Sequence, residues 1–303
     1  MGIPLKVKYA SFFQDMAKLT RSASKIDEDK VYEEANMDLR KYSLQIVSDN
    51  VLPGSGLGNI ENYKALYDSV TKEGKSGLIL VEHFSNLDLP SIIYFLETYG
   101  EEWAKDMASR IVAIAGMKLN ESGVGVRGFS ESFSRVIVYP TRSITAMKEK
   151  GDVPDEVIEA EEQKARKINF AAMRAMDQCK KRGQIILVFP SGTRYRPGQP
   201  ETKRGLREID SYLRLFDNMI CVANNGMCLR IGIEHPEDML ADIIEPDVER
   251  FTASPLINCK QFRNKILETL PADCPDPKQE TVDAVMKVME DIHDEVEKTR
   301  LSK

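Results

Sequence analysis

The sequence has 303 residues, of which 42% are hydrophobic and 30% are charged, and its formal net charge is −6. This composition is typical of a globular protein, and the acidic balance argues against a nucleic-acid binder. The longest apolar runs, such as residues 185–189, are far shorter than the ~20 residues of a membrane span, which excludes an integral membrane protein. The five cysteines include no CxxC pair and predict reduced thiols in a cytoplasmic location.

The first 75 residues predict helices, because apolar residues recur every three to five positions until the sequence PGSGLG at 53–58 interrupts them. One further helix is predicted over residues 62–71. Residues 1–75 are therefore expected to form a small N-terminal helical bundle domain, and residues 76–303 a second domain.

Residues 1–25 carry five basic side chains against one acidic side chain, with phenylalanines among them. One interpretation is a helix that contacts an anionic membrane surface or an acidic carrier protein. The other is the basic outer face of a helix that packs on the core.

From residue 76 onward, short apolar runs alternate with longer amphipathic segments. Strands are predicted over residues 78–81, 111–115, 136–139, 185–189 and 220–223. Helices are predicted over residues 90–99, 155–182, 206–216 and 281–298. Buried strands that alternate with helices predict an α/β fold, with a largely parallel mixed sheet flanked by helices.

The sequence EHFSNLD follows the first of these strands and places His83 five residues before Asp88. On one helix the two side chains would point to different faces, so they can meet only in a loop that turns between strand and helix. A carboxylate that orients an imidazole makes that imidazole a general base. The alternative is a surface histidine beside an aspartate that caps the next helix.

The sequence FPSGTRYRPG follows the predicted strand at 185–189 and places Arg194 two residues before Arg196. In an extended loop both side chains can project to one side, and paired guanidinium groups suit a phosphate ester or a carboxylate. The alternative is a solvated basic loop. A formal GxGxxG at residues 123–128 does not directly follow a strand, so it predicts a loop that lines a pocket, not a dinucleotide site.

Together, HFSNLD and FPSGTRYRP, in this order and about 105 residues apart, resemble the glycerolipid acyltransferases, which carry an H-x4-D block and a later F-P-x-G-T-R block. The absence of a membrane segment and the SGTRYRP sequence are similar to the soluble branch, the plastid-type glycerol-3-phosphate acyltransferases. The resemblance implies that His83 is the base, that Asp88 orients it, and that Arg194 and Arg196 bind phosphate. It also implies a basic pair after the strand at 136–139, of which only Arg142 is present, because Ser143 stands where that branch has a histidine.

The resemblance implies transfer of a fatty acyl group from acyl-carrier protein or acyl-CoA to the 1-hydroxyl of glycerol 3-phosphate, a reaction of phospholipid biosynthesis. It implies no metal, no cofactor and no covalent acyl-enzyme. The cysteines predict a cytoplasmic protein, and the basic segment 1–25, in the first of its two interpretations, predicts peripheral membrane contact. Three alternatives stay open: acylation of lysophosphatidate, thioester hydrolysis, and an inactive module that binds lipid or phosphate.

Overall fold

A computed structural model describes residues 2–22, 25–151, 153–234 and 236–300, apart from the side chains of Ala146 and Lys150. The strands are β1 Ile3–Pro4, β2 Tyr32–Glu33, β3 Gly56–Gly58, β4 Gly77–Val81, β5 Ile111–Gly116, β6 Arg135–Val138, β7 Ile185–Val188, β8 Asn218–Asn225, β9 Leu229–Arg230, β10 Ile243–Ile244, β11 Arg250–Ala253 and β12 Ile257–Asn258. The helices are α1 Leu5–Lys8, α2 Ala10–Leu19, α3 Met37–Ser48, α4 Ile60–Thr71, α5 Asp88–Thr98, α6 Glu102–Arg110, α7 Lys118–Glu121, α8 Val124–Glu131, α9 Thr141–Lys150, α10 Asp155–Lys181, α11 Ile209–Leu215, α12 Cys259–Thr269 and α13 Pro277–Arg300.

The five predicted strands of the α/β part are confirmed as β4, β5, β6, β7 and β8, and the mixed α/β fold class is confirmed with them. The long predicted helices are confirmed as α5, α10 and α13, whereas α11 is shorter than predicted at its N-terminal end.

The loop predicted over residues 123–128 is wrong, because α8 begins at Val124. The glycines at 125 and 128 lie within this helix, and Gly128 packs closely against another part of the chain. A Cβ on Gly128 would lie 2.6 Å from Oγ1 of Thr20, so a larger residue would force the side chain of Thr20 to shift.

The chain forms two compact units. The first comprises the described residues within Met1–Ala10, Ser43–Ile111 and Gly183–Lys303, and the second those within Ser11–Tyr42 and Val112–Arg182. The predicted division at residue 75 cuts the chain differently and stays a prediction. Within the first unit, residues before 75 contribute β1, which pairs with β10, and β3, which pairs with β11.

The first unit is built on a mixed sheet in which β4 lies between β7 and β8 and is parallel to both. β11 continues this sheet antiparallel to β8 and is followed by β3, and β12 also pairs with β8. All five residues of β4 are buried, as expected of a strand covered on both faces. Because β4, β7 and β8 run in the same direction, the loops at their carboxyl ends meet at one edge of the sheet, where open α/β sheets place ligands.

The second unit contains β5 parallel to β6, with β2 antiparallel at the other side of β6. Its core combines residues of β6 and α10 with those of the segment before β2. These buried residues are Ile26, Val31, Met117, Ile137, Tyr139, Ala165 and Ile168. Across the described part of the chain, no helix combines the length and the apolar character needed to cross a bilayer.

Candidate functional site

The loop of residues 82–87 connects β4 to α5, which begins at Asp88. The carboxylate of Asp88 turns back onto this loop. Its Oδ2 accepts hydrogen bonds from the backbone N–H of Phe84, at 2.8 Å, and of Ser85, at 2.9 Å. A carboxylate in the first turn of a helix also interacts favourably with the helix dipole. The loop is thereby closed, and its residues are brought over the start of α5.

His83 contacts the same carboxylate, with 2.9 Å between its Nδ1 and Oδ2 of Asp88. Because a carboxylate oxygen accepts, Nδ1 carries a proton, and in the neutral imidazole Nε2 then has the lone pair. The imidazole stacks on Phe189, with 4.0 Å between ring centroids and 19° between planes, which fixes its orientation. In the residues that the structure describes, Nε2 has no hydrogen-bond partner. The histidine is thus oriented as a general base requires.

Asn224 holds the other oxygen of Asp88 and was not predicted from the sequence. It lies near the end of β8, and its Nδ2 donates to Oδ1 of Asp88 at 2.9 Å. Both oxygens of this carboxylate, which is 1% exposed, are therefore fixed by hydrogen bonds. The signal that could have found Asn224 is its place after the predicted strand at 220–223, at the same sheet edge as the loop after β4.

The loop after β7 lies against the loop after β4, because the backbone N–H of Tyr195 donates to the carbonyl oxygen of His83 at 2.8 Å. Gly192 allows the turn that leads into it. Its φ is +63°, in the left-handed region, and a Cβ there would overlap Cδ1 of Leu206. The sequence FPSGTRYRP therefore has its glycine where this backbone requires one.

Arg194, predicted as a phosphate ligand, is buried and forms an ion pair through Nη1 with Oδ2 of Asp242. The side chain of Asp242 is 0% exposed, and Nδ2 of Asn86 lies 3.3 Å from the same oxygen. Burial raises the pKa of the Asp242 carboxyl, and the charge of Arg194 opposes that shift. In this structure Arg194 therefore has an internal carboxylate as its partner, and its phosphate role stays a prediction.

Arg196 is more accessible than Arg194. Its side chain is 33% exposed, and its Nη2 lies 3.5 Å from Oε1 of Glu237, which is itself 82% exposed. Such solvent-exposed ion pairs contribute little free energy, about 0–1 kcal/mol. A phosphate or carboxylate ligand can therefore replace Glu237 as the partner of this guanidinium group at little cost.

Arg142, the remaining predicted phosphate ligand, belongs to the second unit, where it is exposed on the first turn of α9. The other predicted site residues belong to the first unit. The role of Arg142 stays a prediction.

A second histidine–carboxylate pair adjoins the first, and it too was not predicted from the sequence. Nδ1 of His293, on α13, lies 2.8 Å from Oε2 of Glu82, the residue before His83. This hydrogen bond raises the pKa of His293, although its partial burial acts in the opposite direction. Nζ of Lys203 lies 4.0 Å from the other oxygen of Glu82.

These contacts combine an oriented imidazole with basic side chains in the adjoining loop. The imidazole can take a proton from a hydroxyl group, and an accessible guanidinium group can bind an anionic part of the same substrate. The arrangement suits activation of a hydroxyl group on a phosphorylated or carboxylated molecule.

No protein-family model matches the chain, and no curated protein matches it. Among solved structures, one match is the crystal structure of the 1-acyl-sn-glycerophosphate (LPA) acyltransferase, PlsC, from Thermotoga maritima. The two sequences are 15% identical, the match covers 94% of this chain and 88% of that chain, and the TM-score is 0.41. A similarity at this level supports no conclusion about function, which is argued below from the site itself.

Proposed function

We propose that the protein is an acyltransferase that moves a fatty acyl group from an acyl thioester to the 1-hydroxyl of glycerol 3-phosphate. The donor is acyl-carrier protein or acyl-CoA, and the product feeds phospholipid biosynthesis. The observation that carries the proposal is the His83–Asp88 pair, in which Nε2 of His83 has no hydrogen-bond partner among the described residues. The backbone of His83 is hydrogen-bonded to the loop that contains Arg194 and Arg196.

In the proposed reaction, Nε2 of His83 takes the proton of the acceptor hydroxyl while its oxygen attacks the thioester carbonyl. The new C–O bond forms, the C–S bond breaks, and the imidazolium returns the proton to the departing thiolate. Asp88 stabilises the imidazolium and keeps Nδ1 protonated throughout. Arg196 binds the phosphate of the acceptor, which is charged both before and during the reaction.

The first experiment identifies the acceptor, because several reactions share this chemistry. Purified protein is incubated with radiolabelled acyl thioester and either glycerol 3-phosphate, lysophosphatidate or no acceptor. Acylated glycerol 3-phosphate supports the proposal. Acylated lysophosphatidate alone, free fatty acid alone, or no turnover would indicate a lysophosphatidate acyltransferase, a hydrolase or a binding module, respectively, and each contradicts it.

The second experiment separates the base from the phosphate ligand. A proton transfer acts only in the transition state, so His83→Ala should lower kcat by roughly 10²–10⁴-fold with little change in KM. Arg196→Ala removes a charge-assisted hydrogen bond and should raise KM for glycerol 3-phosphate by roughly 10–150-fold, with a much smaller change for the acyl donor.

Arg207→Ala is the matched control for Arg196→Ala. Arg207 belongs to the same basic stretch of sequence, but its partner is Asp276, at 2.9 Å, and its side chain is 56% exposed. The control should leave both KM values unchanged. Near-normal turnover of His83→Ala would contradict the catalytic assignment, and an unchanged KM for glycerol 3-phosphate in Arg196→Ala would show that the loop does not bind the acceptor.

A further inference from the structure

The Glu82–His293 pair is connected to the His83–Asp88 pair by Asn224. The backbone N–H of Asn224 donates to Oε2 of Glu82 at 3.0 Å, and its side-chain Nδ2 donates to Oδ1 of Asp88 at 2.9 Å. A continuous series of contacts therefore joins α13 to the proposed base, from His293 through Glu82, Asn224 and Asp88 to His83.

The members of this series are buried to different extents. Glu82 is 4% exposed, Asn224 is 2% exposed and Asp88 is 1% exposed. His293 is less enclosed, with 23% of its side chain exposed, so it can exchange protons with solvent. A buried carboxylate such as Glu82 needs a compensating charge, because the low dielectric of the interior makes an uncompensated charge costly.

We propose that His293 is a positioning residue for His83: its positive charge compensates Glu82 and so sets the pH range in which His83 is a free base. The inference rests on the proposed function, in which His83 is that base. It assigns a role in the reaction to α13, which the sequence did not connect with the site.

The charged groups around His293 support this role. From the loop after β4 it faces Glu82, and from the loop after β7 the ammonium group of Lys203 approaches the same carboxylate at 4.0 Å. On α13 itself the charge of Glu297 acts on His293, and Glu297 is paired with Arg300 at 2.8 Å.

The aromatic contact of His293 is with Phe84, at 5.6 Å between ring centroids.

The hydrogen bond to Glu82 raises the pKa of His293 and favours its charged form. When His293 loses its proton, Lys203 is left as the single cation beside Glu82 in the described residues.

The proposal predicts a specific change in pH dependence. In His293→Gln the amide can keep the hydrogen bond to Glu82, but the compensating charge is lost. The uncompensated negative charge stabilises the imidazolium form of His83, so the acidic limb of the pH profile of kcat/KM should move to higher pH. At an effective dielectric constant of ~20–40, a unit charge ~10 Å from an ionisable group shifts its pKa by about 0.6–1.2 units, and we expect a move of this order.

Two further variants separate this effect from a structural one. Glu82→Gln combined with His293→Gln removes both charges and should return the limb to its original position. Lys287→Gln removes a cation from an exposed position of the same helix, where its side chain is 61% exposed, and should leave the profile unchanged. If the role of His293 were purely structural, the acidic limb of the double variant would be displaced at least as far as that of His293→Gln.

The same variants are read by NMR titration of the histidine Hε1 resonances, which requires no turnover. The chain has three histidines, so loss of a resonance in His83→Ala and in His293→Gln assigns both positions. We expect the titration midpoint of His83 to rise in His293→Gln and to return in the double variant. An unchanged midpoint in His293→Gln, or a shift that persists in the double variant, overturns the inference. Failure of the proposed function would instead appear as absent acyl transfer and leave this titration interpretable.

Discussion

Replacing Arg194 by alanine tests whether this arginine is first of all a structural residue. The substitution removes the charged partner of Asp242, whose side chain is 0% exposed. The donors that remain are weak, with Nδ2 of Asn86 and the backbone N–H of Gly232 each at 3.3 Å. Removing one partner of a buried ion pair typically lowers the free energy of unfolding by about 3–5 kcal/mol, and we expect a loss in this range.

Arg196→Ala is the matched control, because it removes the same side chain two residues further along the loop. Its partner Glu237 is 82% exposed, so the loss should be about 0–1 kcal/mol. Urea unfolding of both variants measures the difference. Urea m-values are about 1–3 kcal/mol per M for small proteins and increase with size, so the midpoint of Arg194→Ala should fall by roughly 1 M.

The pH dependence of stability gives a second test of the ion pair between Arg194 and Asp242. Burial raises the pKa of Asp242, so its protonated form is favoured in the folded state, and loss of Arg194 strengthens this preference. The stability of Arg194→Ala relative to wild type should therefore be highest in acid and fall as the pH rises and Asp242 ionises. Asp242→Asn in the same background should recover part of the loss. Equal urea midpoints for Arg194→Ala and Arg196→Ala would refute this reasoning, and Arg194 would then have a role in binding alone.

Three further predictions concern other parts of the molecule. Burial raises the pKa of Glu249 to about 6, so its contribution of about 2 kcal/mol is present below its unfolded pKa and is lost as the pH rises through 6. Because pH 5 already lies above the unfolded pKa, Glu249→Gln should reduce the difference in urea stability between pH 5 and pH 8 by about 1 kcal/mol, and an unchanged difference would exclude Glu249 as its source. Gly226→Ala should lower the free energy of unfolding by about 1–3 kcal/mol more than Gly74→Ala. Both glycines have positive φ, but a Cβ would overlap the carbonyl oxygen of Val248 only at Gly226. Equal losses in the two variants would contradict this prediction. The basic segment 1–25 predicts salt-sensitive co-sedimentation with anionic vesicles. The double substitution Lys18→Glu and Lys25→Glu should weaken this binding, since each basic residue contributes about 1 kcal/mol. Binding that persists unchanged would show that the segment does not make the contact, which favours the basic outer face of a helix that packs on the core.

The parts of the fold that could be predicted are those with a local signal. The strand at 78–81 is a short apolar run after a glycine, and all of β4 is buried as such runs predict. The contact between His83 and Asp88 could be expected because five residues in a loop between strand and helix leave the two side chains within reach. Strands of two residues, such as β9, carry no periodicity from which they could be recognised.

The parts that could not be predicted depend on partners that are distant in sequence. Arg194 looks like an anion ligand in its loop, but Asp242, its partner, lies 48 residues further on with no motif to mark it. His293 lies 211 residues from Glu82, on α13, whose apolar residues Val282, Val285 and Met289 are buried and indicate only packing. Gly128 resembles a loop residue until the packing of Thr20 against it is known.

The long separation between Glu82 and His293 also has a consequence for the order of folding. At a synthesis rate of roughly 5–20 residues per second, the ribosome needs about 10–40 s to extend the chain by the 211 residues between them. During that time the segment of β4 is already made, while the helix that carries His293 is not. Closing so long a loop also costs conformational entropy before the contact stabilises the fold. The Glu82–His293 contact therefore forms late, and a nascent chain that lacks α13 holds Glu82 without its histidine partner.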